Sequence, residues 1–269
     1  MTATAPQLES PKSEEPDELA GTEAPLIDHL IELRRRLIYS AVAVVVLTIA
    51  CFIFANQIFD ILLEPYRRAV ENPADLELIY TAPQEFFFTQ LNLSLFGAIF
   101  LGFPVIASQI YMFVAPGLYK KERRAFLPYL VATPLFFLLG AGMVYFAVLP
   151  MALHFFAGMQ TEEITMLTSV SEYLGLAMTL IIAFGVCFQL PVVLTLLAQI
   201  DLVNVGHLKK GRRYAIVAIL VVAAFITPPD PISQIGLALP MYLLYEVSIL
   251  SVRWVERKRR AAEASSTAE

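Results

Sequence analysis

The chain has 269 residues, 58% of them hydrophobic, with a mean hydropathy of +0.66 and a formal net charge of -5 at pH 7. That composition excludes an ordinary soluble domain and points to an all-α, polytopic membrane protein with no nucleic-acid partner.

Residues 1 to 24 carry Glu9, Glu14, Glu15, Asp17, Glu18 and Glu23 among prolines and serines, without apolar periodicity. A disordered acidic tail is expected there, and no signal peptide, because a basic start and an apolar centre are both missing. From Pro25 the apolar side chains Leu26, Leu30, Leu33 and Leu37 recur at helical spacing, which predicts an amphipathic helix lying on the cytosolic face before the first span. Uncharged runs then extend over residues 37–59, 86–119, 125–161 and 173–200. Each exceeds the roughly 20 residues a helix needs to cross the hydrocarbon core.

Two shorter runs follow, from Tyr214 to Pro229 and from Pro231 through Glu246 to Val252, and are read as fifth and sixth spans. Tyr214 to Thr227 would reach only about 21 Å as helix against a core of roughly 30 Å, so a short span in a thinned bilayer is expected. Between them, three prolines in TPPDPIS predict a tight turn. The expected organisation is a tail over 1–24, a six-helix membrane domain over 25–254, and a basic then polar cytoplasmic tail over 255–269.

Of the 19 Lys and Arg residues, all but Arg67 and Arg68 fall in the N-terminal segment, in the loops joining spans two to three and four to five, or after span six. That asymmetry predicts cytoplasmic termini. Cys51 and Cys187 fall inside apolar runs, which suggests neither a disulfide framework nor a metal site. The three histidines are scattered, and no phosphate loop, HExxH or nucleophile elbow occurs, so no enzyme, cofactor or metal is expected.

The polar groups that remain are few. Glu246 lies inside the sixth span, seven residues before Arg253. It is either hydrated or paired near the cytosolic surface, or it is functional. Gln189, two residues before Pro191 in AFGVCFQLPVV, can bond within the protein or to a partner's transmembrane helix. Glu32 has Arg35 and Arg36 one helical turn away and can be neutralised in its own helix. Glu122 in YKKERR has Leu118, Tyr119, Ala125 and Phe126 at those spacings. It is either a solvated loop charge or a carboxylate open to a guanidinium from another chain.

HLIELRRRL, FPVIASQIYMFVAPGLYKKERR, AFGVCFQLPVV and ITPPDPISQIGLALPMYLLYE resemble, in order and topology, the signature stretches of the TatC family. TatC is the polytopic receptor subunit of the twin-arginine protein translocase, and the similarity runs from about Leu26 to Trp254. The resemblance implies a receptor and core subunit in the cytoplasmic (inner) membrane that binds twin-arginine signal peptides. It would assemble with TatA and TatB, as a homo-oligomer in the receptor complex, to export folded proteins with the protonmotive force.

It further implies that Glu32 and Glu122 accept the two arginines, and that Arg34, Pro104 and Phe113 serve signal binding or function. Pro65 and Asp230 match positions implicated in transport, with Glu246 a further candidate. Some relatives carry a glutamate where this chain has Gln189, so a contact to TatA or TatB needing only a hydrogen bond fits better than one needing a charge. A small-solute transporter is the alternative class, and the absence of a charged midplane pair counts against it.

Overall fold

The computed structural model describes residues 20–69, 78–114, 127–158, 168–226 and 231–266. The acidic tail before Ala20, Glu122 with its YKKERR segment, and Asp230 with most of the proline-rich turn lie outside the described residues. Nine α-helices and one two-stranded parallel ladder make up the described part. Among the described residues five stretches are long and apolar enough to cross a membrane: His29–Ile53, Glu85–Phe113, Tyr129–Ala157, Val170–Gln199 and Gln234–Ala261.

Helix α1 (Ala20–Ile53) is continuous. The expected surface helix is instead the first part of the spanning helix, because Leu, Ile, Glu and Arg are good helix formers and nothing between Leu26 and Leu37 breaks the backbone. Helix thus begins inside the stretch expected to be tail. The uncharged run to Phe59 is cut at Phe54, and α2 (Ala55–Ala69) starts a new direction. Leu62, Leu63, Tyr66 and Ala69 are the buried face of α2, and its outer face pairs Arg67 with Asp60 at 3.2 Å and Arg68 with Glu64 at 2.9 Å. Charge on one stripe and apolar bulk on the other make α2 a surface helix and end the span at Ile53.

Strand β1 (Leu78–Ile79) leads into α3 (Glu85–Val114). The third predicted span is α4 (Leu127–Met143), a π turn at Val144–Val148 and α5 (Leu149–Ala157). The wider turn falls just before Pro150, whose ring would clash with the carbonyl of Phe146 in an uninterrupted α-helix. Strand β2 (Thr168–Ser169) pairs with β1 and opens α6 (Val170–Cys187).

The fourth predicted span is then interrupted, since α7 (Leu190–Gln199) restarts after a tight turn in which Gln189 N–H donates to Val186 O at 2.9 Å. Helix α8 (Val205–Ile226) begins well before the apolar run, and from Tyr214 to Ile226 that run covers only about 20 Å. Helix α9 (Pro231–Ser266) continues past Trp254 into the expected tail. Glu256, inside that tail, accepts Val205 N–H at 2.8 Å and so satisfies a free donor at the start of α8.

The core centres on α6, whose Leu174, Ala177, Leu180 and Phe184 are almost wholly enclosed. Side chains from α2, α3, the π turn, α5, α8 and α9 join it. Helix α1 stands apart: 6% of its spanning window is buried, against 39% for each of the other four, and it lies along α3. Most of its surface, including Val42, Val45, Val46 and Ile49, is therefore available to lipid.

Candidate functional site

The seam between the start of α1 and the end of α3 brings together residues far apart in sequence. Glu32 Oε1 accepts Arg36 Nη2 at 3.1 Å, one turn along α1, with Glu N-terminal to Arg, the favourable order. With these side chains 30% and 26% exposed, the pair contributes about 0.5 kcal/mol at most. The Nη1 of Arg36 reaches across to α3, to Gln109 Oε1 and Met112 Sδ, each at 3.4 Å. The Nε of Arg36 is buried without an acceptor among the described residues. Beside this contact the His29 ring stacks on Phe113, centroids 4.3 Å apart. Glu32 Oε2 has no partner among the described residues.

The site therefore offers a carboxylate with one oxygen filled and one open, an aromatic wall and a fixed guanidinium. Of the residues expected here, Glu32 and Phe113 are together. Arg34 is exposed, two residues from Glu32 and so on another face of α1, with no partner among the described residues. Pro104 is exposed on α3, about 13 Å of helix from Phe113, and stands apart from the seam. Glu122 lies outside the described residues, nine positions after Phe113 in the chain.

Gln189 sits at the α6–α7 break and points inward. Its Nε2 donates to Thr133 O of α4 at 3.1 Å and to Gly185 O at 3.2 Å. The tight turn aims the Gln189 N–H at Val186, and the side chain replaces the bond that Gly185 O loses. Its Oε1 is buried without a partner among the described residues. Both carboxylate oxygens of Glu246 are occupied, by Arg212 Nη2 at 2.6 Å and by the Tyr242 hydroxyl at 3.0 Å. Of the two readings open from sequence, the paired one fits: Glu246 locks α9 to α8, helped by Tyr245 donating to Leu208 O at 2.7 Å.

At the opposite end of the bundle, Pro65 is buried inside α2. Lacking an N–H, it leaves Ile61 O without its helical donor, and the Tyr145 hydroxyl of the π turn donates to that carbonyl at 2.8 Å. Tyr173 likewise donates to Leu62 O at 2.7 Å and packs on Tyr66.

Glu85, unremarked in sequence, is 8% exposed and ties the two strand–helix junctions together. Its Oε2 accepts Thr81 N–H at 2.6 Å, Thr81 Oγ1 at 2.8 Å and Ala82 N–H at 3.2 Å. Its Oε1 accepts Ser169 Oγ and Ser171 Oγ, both at 2.6 Å, and Ser171 N–H at 3.3 Å, so it caps α6 from another helix. A threonine four residues before the glutamate was the only local hint of this. The serines come from a segment more than eighty positions away.

A mostly helical chain with five stretches among its described residues long and apolar enough to cross a membrane is a multi-pass membrane protein. The family model described as Sec-independent protein translocase protein (TatC) matches residues 28–240. The TatC protein of Magnetococcus marinus is 46% identical over 246 residues, covering 91% of this chain and 90% of that protein. The TatC protein of Escherichia coli K12 is 38% identical over 239 residues, covering 89% and 92%. A crystal structure of a twin-arginine translocase receptor, TatC, superposes with a TM-score of 0.76 at 37% identity, covering 85% of this chain and 99% of that one. The chain belongs to the TatC family, a non-enzymatic component of the Sec-independent protein translocase.

Proposed function

We propose that this chain is the signal receptor and core subunit of a twin-arginine translocase in the cytoplasmic membrane, crossing six times with both termini cytosolic. Helices α8 and α9 supply the fifth and sixth crossings, with the short apolar part of α8 thinning the adjacent bilayer. Glu32 and Glu122 accept the arginine pair of a client signal peptide, with Phe113, Arg34 and Pro104 contributing to the docking surface. Gln189, half-buried at the α6–α7 break, marks the place where a single-span partner of the TatA or TatB type packs. Pro65 and Asp230 act in transport, and Glu246 supports it by locking α9 to α8, within a homo-oligomeric receptor complex that moves folded clients by the protonmotive force.

The observation that carries this reading is the open Oε2 of Glu32, held at the end of α3 from which the chain continues to Glu122. A guanidinium, planar and weakly hydrated, suits a single open oxygen beside a resident cation better than a strongly hydrated ammonium does. The test is photo-crosslinking from position 122 in inverted membrane vesicles, using a precursor with an Arg-Arg signal and the same precursor with Lys-Lys. Crosslinks that fall with Lys-Lys and weaken again with Glu32→Gln are the expected result. Equal crosslinking to both precursors would refute it.

A further inference from the structure

Arg36 is placed to do more than neutralise Glu32. Its two terminal nitrogens are committed to different helices, Nη2 to Glu32 on its own and Nη1 to Gln109 and Met112 on α3. The Nε between them is enclosed and unpartnered among the described residues, so the guanidinium is held by its neighbours rather than by solvent. We propose that Arg36 is a positioning residue that sets discrimination between arginine and lysine: it pins Glu32 against the end of α3 with one carboxylate oxygen filled and the other presented. This inference rests on the reading of Glu32 as an acceptor for a client's arginine.

The physical reason lies in what an incoming cation meets. Glu32 without its anchor would sample several rotamers at a half-exposed position and would accept any cation through Coulomb attraction, which distinguishes ammonium from guanidinium poorly. Fixed by Arg36, it offers one oxygen along one direction, next to a resident positive charge. Both cations meet the same repulsion, but a strongly hydrated ammonium must also shed water to enter there, which one bond does not offset. A guanidinium is more weakly hydrated and can stack on an aromatic face while it donates, and the His29–Phe113 stack lies beside the contact. Lysine in place of Arg36 keeps the charge but has a single terminal nitrogen, and loses the fork that spans α1 and α3.

The experiment repeats the Arg-Arg and Lys-Lys crosslinking pair with Arg36→Lys and with Gln109→Leu, both measured against membrane-inserted protein. Gln109→Leu leaves the Glu32 pair in place and removes only the tie to α3. The expected result is that the Arg-Arg to Lys-Lys ratio falls about fivefold in Arg36→Lys, the worth of one ordinary hydrogen bond, and by a smaller factor in Gln109→Leu. Unchanged ratios in both variants would overturn the inference, as would an equal loss of both precursors, which is what a merely structural role predicts. If Arg36→Lys does not accumulate, the ratio in Gln109→Leu decides. A wild-type protein that crosslinks both precursors equally would instead refute the receptor reading itself, so the two failures are distinct.

Discussion

Gly185→Ala is expected to destabilise the protein even though alanine is the better helix former. A Cβ at Gly185 would overlap three atoms of the Phe137 ring. That ring has nowhere to go: Phe137 is 2% exposed, stacks on Phe103 with centroids 3.9 Å apart and leans on Phe100 at 5.4 Å. Separating α4 from α6 is the other escape, and it would stretch the bond from Gln189 to Thr133 O. Alanine gains about 1 kcal/mol in helix propensity, whereas overpacking costs up to about 3 kcal/mol, and a weakened hydrogen bond adds about 1 kcal/mol more.

The net loss is up to about 3 kcal/mol. Gly175→Ala, in the same helix, is the matched control, because nothing lies within 4 Å of its added Cβ. It should be neutral or gain up to about 1 kcal/mol. Unfolding of both variants in mixed detergent micelles measures the difference. Gly185→Ala proving as stable as Gly175→Ala would refute the close approach of α4 and α6.

Three further outcomes are expected. Tyr145→Phe should cost at most about 1 kcal/mol by leaving Ile61 O without its donor; in a Pro65→Ala background, where an amide N–H is restored, the same change should cost less, and additivity of the two in a double-mutant cycle would contradict the link. Glu85→Gln should lower the midpoint of thermal unfolding, since one amide oxygen cannot serve donors on both sides, and Thr81→Val should lower it less. An unshifted midpoint in Glu85→Gln would mean the six bonds are replaceable. Gln189→Leu should reduce co-purification of TatA- and TatB-type subunits while the Arg-Arg crosslink persists, and equal recovery of those subunits would remove the partner-contact proposal.

Sequence reading succeeded where one helix suffices to decide. The pairing of Glu32 with Arg36 was legible because side chains four apart on a helix meet whatever surrounds them. The second half of that arrangement was not, since Gln109 is 73 positions from Arg36 and nothing local marks it as the acceptor. Glu85 shows the same limit: nothing local sets this carboxylate near a helix start apart, and only the pairing of β1 with β2 brings the serines to it. The end of the first span was misjudged for a related reason. Absence of charge continues past Ile53, but the chain turns where α2 finds an apolar surface to cover.

The sequence by itself determined the medium, the helical class and the family, because uncharged runs longer than a bilayer core admit few other structures and the signature stretches recur in order. It also confined the candidate residues to a handful, since ionisable and amide groups are costly in lipid and stand out against it. Beyond the Glu32–Arg36 pair, which partner each would take was decided by tertiary structure. Gln189 turns inward to carbonyls of α4 and α6, Glu246 is claimed by Arg212, and Glu32 keeps one oxygen open, because each outcome depends on which helix packs alongside.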